Sequence, residues 1–273
     1  MRKSMLRGLR ACAVLGALLL AGPLAAGQVV HVGGVHFPPY VVKPEEPNAS
    51  GLLLDLLEAL NQAQSDYQFI MVPTSVPRRF RDFEQGRIDL ALFENPAWDW
   101  HDIAHDSVDM GLEDAEVFVA RVELGREQDY FDSLQGKRLA LYNGYHYAFA
   151  GFNAAPEFLQ QNYNATLTYS HDSNLLMVVR RRADIALVTR SYIGEFLERH
   201  REYAGQLLVS ERIDQPYKHH ALVRPQGPIS AERFASLLEQ LRSSGQLADI
   251  FGPSRIAVRA SASGGVGIAN VEE

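Results

Sequence analysis

The sequence has little cysteine, no run of basic residues and one long apolar stretch. Cys12 is the single cysteine among 273 residues, which excludes a disulfide framework and Cys-rich metal sites. Twenty-six basic against 33 acidic residues give a net charge of −7, which argues against nucleic acid as a partner. After residue 27 no segment approaches the ~20 apolar residues of a transmembrane helix. With 47% hydrophobic and 22% charged residues, the chain is typical of a globular protein.

The first 27 residues are typical of a secretory signal peptide. Residues 1–10 are basic, residues 11–20 are apolar, and residues 24–27 include the small residues of a cleavage site. Ten apolar residues are too few to span a bilayer. We predict cleavage after Gly27, which removes Cys12 and leaves a soluble, acidic protein in the periplasm.

Strands and helices alternate in two successive series along the rest of the chain. In the first series we predict strands at 29–35, 67–72 and 88–93, with helices at 52–60 and 78–85. In the second we predict strands at 137–142, 165–169 and 184–188, with helices at 145–162 and at about 172–181. Such alternation favours right-handed βαβ units and a mainly parallel sheet in each half. The predicted fold class is therefore α/β, with two lobes of similar build.

The last third of the chain returns to the first half. A strand at 219–224 precedes an amphipathic helix that Ser230 caps and Gly245 ends. Residues 257–273 are rich in Ser and Gly, which predicts a flexible tail.

Five segments resemble the family 3 periplasmic solute-binding proteins, the polar amino acid type that serves ABC importers. They are, in order, HFPPY at 36–40, SGLLLDLL at 50–57, GRIDLA at 86–91, LQGKRLAL at 134–141 and SGQLADIF at 244–251. Each motif alone is weak evidence, but the five keep the family's order and spacing, and the resemblance extends over about residues 29–254.

The resemblance implies the class II periplasmic-binding-protein fold, in which two lobes close by a hinge motion over a ligand. On this reading lobe 1 comprises residues 28–120 and 217–256, and lobe 2 comprises residues 121–216. The two crossing strands would lie near 117–122 and 217–223.

The family pattern is broken at both anchors for a zwitterion. The arginine that clamps an α-carboxylate in amino-acid binders falls at His101, and the aspartate that holds the α-ammonium falls at Thr189. The resemblance therefore implies a small ligand that is not a standard α-amino acid.

Aromatic, charged and glycine residues on the cleft segments are the remaining candidates for ligand contact. Flat rings with polar tips suit a ring, a sugar or a cationic group, and the aromatic candidates are Tyr40, Trp98, Trp100, Tyr145 and His146, with Tyr142 and Tyr147 beside them. Arg78 is the candidate anion contact, with Arg79 next to it, and Gly144 would offer a backbone N–H. Glu94, Asn95 and Asp99 lie in the same loop as the tryptophans, where the two carboxylates suit a cation or water.

Three functions fit these observations. The first is delivery of a small solute to an inner-membrane ABC permease by a monomer without cofactor. The second is a sensory role, in which the same fold docks on a membrane receptor. The third is an enzyme such as a dehydratase, for which Glu94 or His146 would supply the acid or base.

A metal site finds little support in the sequence. His101 and His105 have the spacing of one helix face, but no His-Glu-x-x-His motif is present. His219 and His220 are adjacent on a predicted strand and so point to opposite faces. We predict neither a metal nor catalysis.

Overall fold

The computed structural model describes residues 27–261, which form two α/β lobes joined by two long strands. Residues 1–26 of the predicted signal peptide and residues 262–273 of the predicted tail lie outside this range. Among residues 27–261, no helix has the length and apolar character needed to cross a bilayer.

Lobe 1 begins with three strands and two helices, and the end of the chain adds two further helices to it. The strands are β1 (Gln28–Gly34), β2 (Tyr67–Pro73) and β3 (Leu90–Glu94), with α1 (Leu52–Ala63) and α2 (Arg79–Glu84) between them. Strand β1 pairs in parallel with both β2 and β3. Helix α1 forms because leucines recur at helical spacing, and that face is buried on the sheet.

Two long strands carry the chain into lobe 2 and back. Strand β4 (Asp106–Arg121) leaves lobe 1, and β8 (Leu207–Val223) returns to it. The two strands pair antiparallel along most of their length, with irregular register near Glu113 and Val117.

Lobe 2 repeats the arrangement of lobe 1. Its strands are β5 (Leu139–Tyr142), β6 (Ala165–Thr168) and β7 (Ile185–Thr189), and its helices are α3 (Pro156–Tyr163), α4 (His171–Val179) and α5 (Arg190–Arg199). Strand β5 pairs in parallel with β6 and β7, and β7 pairs antiparallel with β4.

The chain ends on lobe 1 with α6 (Ala231–Ser243), α7 (Gln246–Phe251) and the short strand β9 (Ala257–Val258). The Ser230 Oγ accepts a hydrogen bond of 3.2 Å from the Arg233 N–H, so the predicted cap of α6 is confirmed. Gly245 follows with φ +86°, a conformation that costs glycine little. Strand β9 corrects part of the predicted tail, because Ala257 and Val258 pair with β4.

One continuous sheet connects both lobes, in the order β2-β1-β3-β8-β4-β7-β5-β6, with β9 on β4. The predicted two lobes with mainly parallel sheets and two crossing strands are confirmed. The first crossing lies earlier than predicted, because residues Glu116 to Ala120 already pair with β7 of lobe 2. Residues 112–115 therefore connect the lobes, and 117–122 do not.

Two further predictions are corrected. The segment 145–162 is not one helix, because a 3₁₀ turn at Ala148–Ala150 and a loop precede α3. Helix α4 begins at His171, two or three residues before the start that the sequence suggested for a helix capped by Asp172 or Ser173. Its N-cap is Ser170, whose hydroxyl accepts from the Ser173 N–H at 3.2 Å.

Candidate functional site

A cavity of about 60 Å³ lies between the lobes where β1 and β3 of lobe 1 and β5 of lobe 2 end. Lobe 1 contributes Phe37, Val76 and Trp98, and lobe 2 contributes Gly144 and Tyr145. A wider basin of about 560 Å³ adjoins it and shares Val76 and Gly144 with the cavity. The position at the carboxyl ends of strands is where open α/β sheets bind ligands.

Arg79 and Glu94 form a buried ion pair on the wall of this cavity. The Arg79 Nε lies 2.9 Å from the Glu94 Oε1, and the two residues are 4% and 7% exposed. The Glu94 Oε2 also accepts from the Trp100 Nε1 at 2.9 Å. Both carboxylate oxygens are therefore engaged, which leaves Glu94 poorly placed for the acid–base role considered above.

The predicted anion contact Arg78 lies on the wider basin instead of the cavity. Its side chain is exposed and its Nε lies 3.3 Å from the Ser75 Oγ, whereas the neighbouring Arg79 points inward. Helix α2 begins between the two residues, so consecutive side chains diverge around its axis. The arginine at the cavity is therefore Arg79, which the sequence indicated only as the neighbour of Arg78.

The two tryptophans have different surroundings. Trp98 lines the cavity, and its Nε1 donates to the Gln215 Oε1 at 3.3 Å. Trp100 is fully buried among Phe80 and Phe83 and does not line the cavity. The prediction of a cleft position is thus corrected for Trp100.

His146 of lobe 2 contacts two consecutive residues of lobe 1. Its ring lies parallel to the Trp98 indole, with centroids 6.3 Å apart and planes 13° apart. Its Nε2 lies 2.9 Å from the Asp99 Oδ2. Burial lowers the pKa of His146, an effect that the hydrogen bond to Asp99 partly opposes. Asp99 therefore binds a side chain of the opposite lobe, where the sequence had suggested a ligand cation.

Gly144 and Tyr145 form the turn after β5. Gly144 has φ +85°, and a Cβ atom there would lie 3.0 Å from the Val76 Cγ1 of lobe 1. The positive φ favours glycine, and any Cβ at this position would press on Val76 of the opposite lobe. The Tyr145 ring stacks on Tyr142 at 4.3 Å and meets Phe37 edge-on at 5.5 Å. Among residues 27–261 the buried Tyr145 hydroxyl has no hydrogen-bond partner.

Thr189 does not line the cavity and joins a hydrogen-bond cluster between the strands. Its Oγ1 lies 3.3 Å from the Glu116 Oε2, which also accepts from the Tyr217 hydroxyl at 2.5 Å. Burial raises the pKa of Glu116 well above its ordinary value, which favours the neutral acid. Tyr217 lines the cavity, while Thr189 is fully buried.

Tyr40 belongs to the core of lobe 1 and not to the cavity wall. Its hydroxyl donates to the Asp114 Oδ2 at 2.9 Å and lies 2.7 Å from the His219 Nε2. Its ring packs against Phe37 and Phe93. The predicted position at the cleft is corrected, because Tyr40 is fully buried and does not line the cavity.

His101 and Asn95 lie outside the cavity. The His101 side chain is 73% exposed and pairs with Asp102 at 3.1 Å, in a turn and not on a helix. The Asn95 Oδ1 accepts from the Ala97 N–H at 2.9 Å, a turn contact within the loop. In the described part of the chain, no group of three or more His, Cys, Asp or Glu residues has the geometry of a metal site.

Sequence reasoning missed Phe37 and Tyr217 as cavity residues. Phe37 stood inside the HFPPY segment, but Tyr40 was the residue of that segment predicted to contact the ligand. Tyr217 lies on the crossing strand β8, and an alternating strand pattern identifies neither the side facing the cleft nor the depth of the cleft.

Comparison with known proteins extends these observations to the fold. No protein-family model and no curated protein matches the chain. A histidine kinase sensor domain with similarity to periplasmic binding proteins superposes with a TM-score of 0.65 at 18% identity, covering 86% of this chain and 99% of that domain. A substrate-binding protein of an ABC uptake transporter from Streptococcus pneumoniae, with bound histidine, gives 0.64 at 18% identity, covering 82% and 91%. The periplasmic VFT2 domain of BvgS from Bordetella pertussis gives 0.60 at 19% identity, covering 83% and 93%. The chain therefore has the two-lobed fold of periplasmic binding proteins, as five short segments of its sequence predicted.

Proposed function

We propose that the protein binds a small solute between its lobes in the periplasm and delivers it to an ABC importer. The observation that carries the proposal is the cavity at the strand ends, which residues of both lobes line. A ligand that contacts both lobes binds the closed arrangement better than the open one, and that difference drives closure. The protein acts as a monomer after removal of residues 1–27.

The ligand is not a standard α-amino acid. The two positions that would anchor a zwitterion are occupied by Thr189, which is bonded to Glu116, and by His101, which lies on the surface. The arginine that does face the cavity, Arg79, is already paired with Glu94. A ligand carboxylate at Arg79 would lie beside the Glu94 carboxylate, and the two like charges would disfavour its binding.

A second candidate function is sensing, with the lobes docked on a membrane receptor. The likeness to the histidine kinase sensor domain, which this chain matches over 99% of that domain's length, supports it. In this case the position of the lobes, and not release of the ligand, is the output.

Two measurements separate the candidates. A thermal-shift screen of the refolded protein against amino acids, polyamines, sugars and aromatic compounds identifies a ligand, because binding to the folded state raises Tm by mass action. Uptake of that ligand is then compared between cells with and without the gene. Loss of uptake supports the importer role, whereas unchanged uptake with a lost transcriptional response supports sensing. If no compound in the screen raises Tm, solute binding itself is wrong.

A further inference from the structure

The ionisable groups on the cavity wall already have partners inside the protein. Arg79 lies against Glu94, and its Nη1 also donates to the Val76 carbonyl at 2.6 Å. His146, whose pKa burial lowers, is bonded to Asp99. A charged ligand would have to compete with these contacts and would lose its own hydration, so the wall favours a ligand without charge.

The remaining walls are flat rings set at steep angles to one another. Phe37 meets Tyr145 at 86° and 5.5 Å, and Trp98 meets Tyr217 at 85° and 5.5 Å. Edge-to-face and offset contacts are the preferred geometries of aromatic groups, so such a frame suits another planar ring. The cavity of about 60 Å³ alone is smaller than the ~150 Å³ that holds benzene. A single small ring therefore extends from it into the adjoining basin of about 560 Å³, which shares Val76 and Gly144 with the cavity.

Two buried polar atoms of the wall residues make no hydrogen bond within residues 27–261. One is the Arg79 Nε, which lies 2.9 Å from the Glu94 Oε1 as an ion pair, and the other is the Tyr145 hydroxyl. The Tyr145 ring is held by Tyr142 and by His171, whose centroid is 5.4 Å away. A buried hydroxyl without a partner is unfavourable, and a ligand group that bonds to it would relieve that cost.

We propose that the cavity binds a small uncharged ring compound with one hydrogen-bonding substituent, and that the Tyr145 hydroxyl is its polar anchor. The proposal rests on the solute-binding function above and specifies the class of ligand. The ring lies among Phe37, Trp98 and Tyr217, and its substituent bonds to Tyr145.

The test is titration calorimetry with p-cresol as the probe, compared with toluene, benzylamine and benzoate. We expect p-cresol to bind about fivefold more tightly than toluene, the difference that one hydrogen bond makes. Benzylamine and benzoate should bind more weakly than either. The Tyr145→Phe variant should bind p-cresol and toluene equally. Tyr163→Phe is the matched control, because its hydroxyl bonds to the Phe149 carbonyl away from the cavity, and it should retain the fivefold preference.

The outcomes separate this proposal from the proposed function. Tighter binding of benzylamine or benzoate than of p-cresol overturns the uncharged class while solute binding stands. An unchanged preference for p-cresol in Tyr145→Phe overturns the anchor. Binding of none of the four probes, together with no hit in the wider Tm screen, rejects both proposals. Binding of none of the four probes with a charged hit in that screen rejects the ligand class alone.

Discussion

The imidazole of His146, in lobe 2, lies parallel to the indole of Trp98, in lobe 1, at 6.3 Å. Gln215 of strand β8 joins both residues, since its Oε1 accepts from the Trp98 Nε1 and its amide donates to the His146 carbonyl. Asp99 adds a bond of 2.9 Å to the same imidazole. The lobes are thus held together by side chains of the protein itself, beside the cavity.

Replacing His146 should open the cleft. His146→Ala removes one ring contact and one hydrogen bond between the lobes, together about 1–2 kcal/mol, which shifts the closed–open equilibrium about five- to thirtyfold. Small-angle scattering should show a larger radius of gyration. The control is His101→Ala, whose side chain is exposed. Identical profiles for the two variants would contradict the role of this contact.

Adding a methyl group at Gly144 should also oppose closure. Gly144→Ala forces a left-handed alanine and places its Cβ 3.0 Å from the Val76 Cγ1. Gly136→Ala is the matched control, since φ is +74° and no heavy atom lies within 4 Å of the added Cβ. Both variants should lose about 1–2 kcal/mol of stability from backbone strain. In scattering, Gly144→Ala alone should be more open, and an equal effect of both variants would mean that the lobes do not meet there.

The pair Arg79–Glu94 should show strong coupling in a double-mutant cycle. Arg79→Met leaves the buried Glu94 carboxylate without its cation, at a cost of about 3–5 kcal/mol. The double variant Arg79→Met/Glu94→Gln should recover a large part of that loss, because no unpaired charge remains. Urea unfolding of the four proteins measures the coupling. Additive losses would show that the two side chains do not interact.

His171 and His219 should each destabilise the protein as the pH falls below about 6.5. Burial lowers the pKa of His171 and of His219 from 6.5 to about 3. Between these values the unfolded chain binds more protons than the folded one, so unfolding becomes more favourable with acid. Each histidine should remove about 2 kcal/mol of the free energy of unfolding by pH 5.

His171 provides the cleaner test of this pH dependence. Neither of its ring nitrogens has a hydrogen-bond partner within the described chain, and it packs against Tyr142 and Tyr192. In His171→Leu, the loss between pH 7.5 and pH 5 should shrink by about 2 kcal/mol. Denaturant unfolding at both pH values measures it, with exposed His101→Gln as the control. The same pH dependence in both variants would place the titrating group elsewhere.

The sequence predicted the order of strands and helices because apolar residues recur along it at the spacing of each kind of element. Leucines at helical spacing in α1 and the apolar runs of the parallel strands each indicate one element and its buried face. Ser230 and Gly245 mark the ends of α6 through backbone chemistry that is local to the chain. Strand β9 escaped prediction because two residues carry no period.

The cavity residues were harder to predict, because small rotations decide which side chain faces inward. Trp98 and Trp100 are two residues apart, yet one lines the cavity and the other fills the core. Arg78 and Arg79 differ in the same way at the start of a helix. In such irregular segments the direction of a side chain depends on tertiary packing, which local spacing does not encode.

Strand β9 pairs with β4 on the edge opposite β8, close to the residues that connect the two lobes. Glu113 of β4 pairs with Lys218 of β8 on one edge and with Ala257 of β9 on the other. The Arg259 backbone N–H donates to the Gly111 carbonyl, and the Arg259 guanidinium donates to the Asp109 Oδ2, each at 2.8 Å. Bending β4 therefore requires β8, β4 and β9 to twist together. The resistance to lobe motion thus depends partly on backbone pairing far from the cavity. Changes in the C-terminal segment can consequently tune how easily the cleft opens while every residue around the solute stays the same.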